Sequence, residues 1–320
     1  MRKSEKPRRK PDHPFRNYED SPRRPEPPLQ GVPLNTGRVK DRVVAFLREA
    51  GIVIGAFLVL NNFVIASFLV PTGSMENEVM TGDLLFVNKF IYGGTSPRNI
   101  PFTDIRLPWF RIPGIRDVER GDVIVFVFPG YRDELAPAEF TFYLKRCVGL
   151  PGDTIQVVDR VLYVNGKAFP IPRNLKFSYH RTRQGPEEGI FPPGAPWNED
   201  NYGPIVVPTK GMAIPLDAAS LSQWETFIRR EGHDVSVLGE TVLVDGAEAR
   251  EYVVQRDYLF GMGDHRDNSL DSRYWGFIPR ENLVGTPMIV YWSWDTNLPI
   301  YEIPSKLSSI RWGRIGTLIK

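Results

Sequence analysis

Cysteine is almost absent from this 320-residue chain, in which Cys147 stands alone. A single thiol excludes an internal disulfide and any cysteine-built metal cluster within one chain. In "YLKRCVGL" it reads as a small buried apolar residue, and such economy suits an oxidising compartment. Histidine is nearly as scarce: His13, His180, His233 and His265 are scattered and form no HExxH, which argues against a protein-built zinc site. There is no GxxxxGK[ST] and no strand–GxGxxG–helix context, so a phosphate-binding loop is disfavoured. A formal net charge of only +2 gives no global pull toward nucleic acid.

What is present is unevenly placed. Residues 1–49 carry thirteen Lys/Arg against seven Asp/Glu, and eight prolines fall within 1–37. Such a composition buries too little apolar surface to offset ordering entropy, and 1–42 is expected to be a disordered basic tail. A hydrophobic segment follows over 43–70, uncharged from Ala50 to Val70. About 20 helical residues at ~1.5 Å rise cross a ~30 Å hydrocarbon core, so this segment predicts one transmembrane helix. A cleaved secretory signal fits less well, because about fifty residues precede a run longer than the usual ~7–15-residue h-region. A buried soluble helix is the other alternative, favoured by Asn61 and Asn62, whose amides are costly in lipid unless paired. The basic excess lies before the run, while residues 71–100 hold only Lys89 and Arg98, which predicts a cytoplasmic tail and an outer C-terminal portion.

That outer portion reads as β structure. "GDVIVFVFPG" (121–130), "EFTFYLKRCVGLPGD" (139–153) and "TPMIVYWSW" (286–294) are short β-branched and aromatic runs bounded by Gly and Pro. Asn165-Gly166 and Asp245-Gly246 each sit between such runs and predict type I′ hairpins. Helical periodicity is clear only in 216–232, with Leu216, Leu221, Trp224 and Ile228 on one side. The stretch 171–205, rich in Pro, Gly and charge, reads as an irregular connection. The expected organisation is a core in two parts, 71–155 and 258–320, interrupted by an inserted subdomain at 156–257.

Three stretches could carry chemistry. In "VPTGSMENEVMTGD" (70–83), Pro71 ends the helix, Gly73 permits a sharp turn and Ser74 is left able to present its hydroxyl. By itself the stretch reads equally well as an ordinary turn. A catalytic serine needs an activating base, and the chain offers two types. His265 has Asp264 beside it, which suggests a Ser-His-Asp triad, although adjacent strand residues point to opposite faces. Lys145 lies in "FTFYLKRCVGL", where alternation turns its amine among apolar side chains. Bringing a lysine from a pKa near 10.4 to about 8 corresponds to roughly 3 kcal/mol, which desolvation can supply. The third stretch, "GMGDHRDNSLDSRYWG" (261–276), is crowded with charged and polar residues and suits a hydrogen-bonded loop, whether structural or functional. No serine is followed three residues later by lysine, so the S-x-x-K acyl-enzyme motif is missing. A membrane-tethered β domain that binds a partner without catalysis is the competing reading.

In their order after one membrane helix, "PTGSM" with "GDLLFVNK", "YLKRCVGLPGD" and "GMGDHRDNSLDSRYWGFIP" resemble the three motifs of the type I signal peptidases, membrane-bound Ser-Lys endopeptidases. The likeness covers about a third of the chain. It implies a mostly β fold, in which a single transmembrane helix leads into an antiparallel, barrel-like sheet core carrying an inserted β-rich subdomain. It further implies that Ser74 is the nucleophile, Lys145 the general base, and the Thr72 hydroxyl with the Ser74 N–H the oxyanion hole. Ser269 matches the serine that orients the lysine, Asp271 and Arg273 the ion pair beneath that loop, and Gly263 a small residue that lets the lysine approach. Phe68, Val70, Met75, Val79, Leu85, Val125, Tyr143 and Leu144 match positions lining two shallow apolar pockets, though as bare sequence they read as core. Thr72 departs from the serine often found in the family; it keeps the hydroxyl but stiffens χ1. His265 stands where asparagine is common, and the matched base is Lys145. The implied protein is a monomer in a bacterial cytoplasmic membrane that cleaves signal-peptide-bearing preproteins at Ala-x-Ala-type sites, without metal or other cofactor. Membrane lipid is the further expected partner, through "RLPWFRIPG" (106–114), Trp292, Trp294 and the basic, aromatic C-terminal residues Arg311, Trp312, Arg314, Ile315 and Lys320.

Overall fold

The computed structural model describes residues 36–96, 105, 107–108, 110–299 and 301–320. The expected tail lies outside this range up to residue 35, as do Arg106 and Trp109 of the expected lipid contact. The chain divides at Gly51 into two units. In the first, the described residues form the beginning of helix α1 (Thr36–Phe63); the second holds the rest of that helix and all the sheets.

Within α1, Lys40–Phe63 is long and apolar enough to cross a membrane, and none of it is buried in protein. Its 24 residues rise about 36 Å. The amide of Asn62 donates to Leu58 O at 2.8 Å, one turn back, so this polar group is satisfied inside the helix. The helix stops seven residues short of the expected end at Val70. Residues Ile65–Leu69 instead form strand β1, antiparallel to β2 (Asp83–Asn88) from Ile65↔Asn88 to Leu69↔Leu84. The reason lies in "FVIASFL", an aromatic and β-branched run that pairs with "DLLFVN" and buries Ala66. Gly94 packs against the turn: a Cβ there would meet Phe63 O at 2.4 Å.

Next come β3 (Val123–Val127) and β4 (Phe142–Gly149), paired antiparallel with Ile124 opposite Lys145. The chain then leaves this sheet. Strands β5 (Thr154–Val158), β6 (Val161–Val164), β7 (Lys167–Ala168) and β8 (Tyr202–Val206) form a four-stranded sheet in the order β7-β6-β5-β8. Then follow β9 (Ala213–Pro215), helix α2 (Leu221–Arg230), β10 (Val235–Leu238), β11 (Thr241–Val244), β12 (Ala247–Glu248) and β13 (Glu251–Val253), with β9 paired to β13 and β10-β11-β12 a small sheet. Both hairpin turns take the left-handed backbone their residues favour, with φ of 54° and 74° at Asn165-Gly166 and 51° and 78° at Asp245-Gly246. The chain rejoins the first sheet as β14 (Tyr258–Met262), α3 (Ser272–Trp275), β15 (Ile278–Pro279) and the long β16 (Leu283–Ser293), before the short α4 (Ile303–Ser308).

The principal sheet has seven antiparallel strands in the order β1-β2-β16-β3-β4-β14-β15. β16 pairs with β2 along one edge and β3 along the other, and its register slips at Pro287/Ile289, Val290/Trp292 and Leu283/Gly285. Bulges of this kind bend a strand and deepen the local twist. One face buries Val70, Met75, Val79, Leu85, Val87, Val123, Val125 and Val290 together. Burying each such aliphatic side chain contributes roughly 1.5–3 kcal/mol, so this cluster holds the β1–β2 turn region against β3.

Candidate active site

The turn after β1 is fastened from three sides. Val70 N–H donates to Asp83 O at 2.9 Å, Val79 N–H to Met75 O at 2.8 Å, and His265 N–H to Ser74 O at 3.1 Å. Met75, 1% exposed, anchors the turn in the core. With its carbonyl tied down, Ser74 presents its Oγ to Lys145, whose Nζ lies 2.7 Å away and donates to it. Lys145 reaches this point from the middle of β4, buried beside Tyr143, with Nζ 5.6 Å from that ring's centre.

Burial lowers the Lys145 pKa from 10.5 to about 8; the carboxylate of Asp271 opposes the shift and Arg273 assists it. Removing an ammonium from water without a partnering carboxylate favours the neutral amine, which has a lone pair to accept a proton. Asp271 is itself engaged elsewhere. It accepts Arg273 Nε at 2.9 Å and Nη2 at 2.8 Å, takes the Gly263 N–H at 3.0 Å, and caps α3 through the Arg273 N–H. Burial alone would raise its carboxyl, but Arg273 and these donors hold it below the usual carboxylate range. Arg273 also donates to Glu199 O and Arg266 O, tying the loop to the inserted segment.

Ser74 and Lys145 lie in a cleft of about 670 Å³. Thr72, Ser269, Phe68, Val70, Met75, Leu85, Val125, Tyr143 and Leu144 line it. Neither the Thr72 hydroxyl nor the Ser74 N–H is engaged by another described residue.

Two expectations are corrected. Val79 does not reach the cleft: it is fully buried in the apolar cluster behind it, because the turn directs it inward with Met75. Ser269 Oγ makes no hydrogen bond to Lys145; it is buried without a protein partner among the described residues, since the Lys145 amine points to Ser74. A second glycine, Gly261, lies against the lysine stem: a Cβ there would be 3.2 Å from Lys145 Cβ. At Gly263 the missing side chain leaves room for Ser269, whose Oγ would be 2.1 Å from a Cβ, and for Ser74 O at 2.6 Å.

His265 and Asp264 do not build a triad with Ser74. Asp264 is held bidentately by Arg146 at 2.8 and 2.6 Å, and the His265 ring faces Ser178 and Glu76. The sequence reading missed Thr141 just before β4, Phe142 of β4, Asn268 and Leu270 of the loop, and Arg183 and Glu199 of the inserted segment, all of which line the cleft. Phe142 was accessible through alternation with Leu144; the residues of the inserted segment carried no local signal. Among the described residues, the carboxylates close enough to share a metal ion are Glu199, Asp200 and Asp267. Each already has a partner: Arg183 and Tyr274 for Glu199, Arg160 for Asp200, and the Ser178 and Tyr179 N–H groups for Asp267.

With this geometry in hand, comparison with known proteins is decisive. The family described as "Signal peptidase, peptidase S26" matches residues 43–292. The chain belongs to that family. Signal peptidase I of Pseudomonas aeruginosa is 31% identical over 262 residues, covering 77% of this chain and 72% of the relative. Signal peptidase I of Rickettsia prowazekii is 31% identical over 275 residues, covering 81% and 87%. That of Pseudomonas fluorescens is 32% identical over 250 residues, covering 74% and 68%. The match spans the Ser74 turn, β4 and the 261–276 loop, so the family likeness and the cleft coincide in the same residues.

Proposed function

We propose that the chain is a membrane-anchored serine endopeptidase that removes signal peptides from exported preproteins, with Ser74 as nucleophile and Lys145 as general base. The observation that carries this reading is the 2.7 Å contact between a buried lysine of lowered pKa and a serine hydroxyl, in a cleft lined mainly by apolar side chains. Neutral Lys145 takes the Ser74 proton as Oγ attacks the scissile carbonyl. The Thr72 hydroxyl and Ser74 N–H receive the developing oxyanion, and the proton passes to the leaving amine. Water, activated by the same lysine, then releases the acyl group.

The sheet supports an extended substrate. Among the described residues β1 is an edge strand, and β14 pairs with β4 only from Arg146 to Gly149, so residues 142–145 have one side without a strand partner there. Both free edges contribute to the cleft, and a peptide backbone can add there as a strand. The large apolar side chains between them suit small residues such as alanine at the cleavage site.

The apolar α1 supports membrane anchoring, with the basic tail in the cytoplasm and the sheets outside, in the inner membrane of a bacterium; we read the protein as a monomer. Lipid contact is supported by Trp312, which is 68% exposed and whose ring lies 6.1 Å from Trp292. Arg311 and Arg314 are also engaged within the protein. Arg311 donates to Thr81 O and Arg314 forms an ion pair with the buried Asp83.

The test is incubation of the detergent-solubilised chain with a preprotein, read as a shortened product. The acid limb of kcat/KM is expected near pH 8, activity rising with pH as Lys145 loses its proton. A limb near pH 6 would instead indicate a histidine base. Thr72→Val is expected to lower kcat by about 10²–10³ with little change in KM, measured in the same assay.

A further inference from the structure

The segment 174–179, which belongs to the excursion between β4 and β14, lies against both the Ser74 turn and the 264–267 loop. Its backbone bridges the loop: Lys176 N–H donates to Asp264 O at 2.9 Å, and Arg266 N–H donates to Lys176 O at 3.0 Å. Its side chains reach the turn. Lys176 Nζ donates to Glu76 Oε2 at 2.8 Å, and that same oxygen lies 3.1 Å from His265 Nδ1. The opposite ring nitrogen of His265 is 2.6 Å from Ser178 Oγ, and Asn174 donates to Glu78. The Ser178 and Tyr179 N–H groups close the far end on Asp267, at 2.6 and 2.8 Å.

We infer that 174–179 is a strap and that Lys176 is a positioning residue, acting through Glu76 to hold Ser74 against Lys145. The inference rests on Ser74 being the nucleophile. Glu76 and Ser74 belong to one tight turn, whose N–H of Glu76 returns to Gly73 O at 3.0 Å, so a shift at Glu76 is transmitted to Ser74. Lys176, hydrogen-bonded to Glu76, holds its carboxyl below the usual carboxylate range. The proton-transfer distance of 2.7 Å tolerates little drift, since a displacement near 1 Å costs about 10²-fold in rate. The inserted subdomain thereby acquires a part in the chemistry that its own sheets do not have. The ring of His265, singled out by the sequence as a possible base, faces Glu76 and Ser178 instead.

The experiment is steady-state cleavage of a preprotein by the full chain in detergent, comparing wild type with Lys176→Met, Lys176→Arg and Glu76→Gln. Lys176→Met and Glu76→Gln are each expected to lower kcat about tenfold while KM stays within about twofold, and the double variant is expected to be no worse than either. Lys176→Arg restores most of the rate, and the acid limb near pH 8 keeps its place, because Lys145 is untouched. Wild-type kcat in Lys176→Met, a loss matched by a rise in KM, or no restoration by arginine would overturn the strap while leaving the Ser-Lys reading intact. Failure of the wild type itself to shorten the preprotein would remove the reaction for which Ser74 is positioned, and both readings with it.

Discussion

Lys145→Ala is expected to abolish preprotein cleavage, lowering kcat/KM by at least about 10⁴, as is Ser74→Ala. The two side chains act as a unit, so the double variant should be no slower than either single one. The argument is local. Among the described residues Ser74 Oγ has one side-chain partner, the Lys145 amine at 2.7 Å, and the His265 ring is turned to Ser178 and Glu76. With Lys145 removed, no other described base is bonded to the hydroxyl. The shift of Lys145 from 10.5 to about 8 costs about 3 kcal/mol, so a buried lysine here is an expense to the fold that only a chemical role recovers. Lys145→Ala should therefore leave the melting temperature equal to or above that of the wild type while activity disappears. His265→Asn should still cut. Cleavage by Lys145→Ala at the wild-type rate would overturn Lys145 as the general base, whereas no cleavage by the wild type would leave the non-catalytic, partner-binding reading as the better one.

Arg273→Ala is expected to be the most destabilising single change near the site. It leaves Asp271, which is 0% exposed, as a carboxylate without its guanidinium. Breaking a buried pair in this way costs about 3–5 kcal/mol, which for a domain of this size lowers the melting temperature by roughly 10 °C. The sign with pH follows from the same burial. In the wild type the Asp271 carboxyl is held below its usual value, so the stability it contributes is present above the ordinary carboxylate range and is lost as pH falls through the lowered native value. In Arg273→Ala burial acts with its main opponent removed and raises the carboxyl, so the deficit against wild type should shrink between pH 8 and pH 5. Replacing both partners, Asp271→Leu with Arg273→Met, should cost less than Arg273→Ala alone. Thermal unfolding followed by circular dichroism in detergent measures all three.

The strands around Lys145, the two Asn-Gly and Asp-Gly hairpins and helix α2 were legible because each rests on short-range chemistry: β-branched alternation, left-handed turn residues, and 3.6-residue periodicity. The end of the apolar helix was not. Residues 65–69 are as hydrophobic as those before them, and only the neighbouring strand β2, with which they pair from Ile65↔Asn88 onward, makes them a strand. Hydropathy measures transfer from water and is blind to the partner that accepts the backbone hydrogen bonds. The same limit explains Val79, whose apolar character is equally compatible with a pocket wall or the core it occupies.

By itself, then, the sequence determined the ingredients: one apolar helix, a β-rich remainder, and a serine, a lysine and a polar loop in an order that marks the family. It could do so because residue type and near-neighbour order are one-dimensional properties. Only the tertiary structure decided that Lys145 meets Ser74 across 71 residues, that Gly261 packs against the lysine stem, and that a stretch 100 residues beyond Glu76 fastens the nucleophile's turn. Those contacts arise from strand register and chain crossings, which bring together side chains that no local pattern relates.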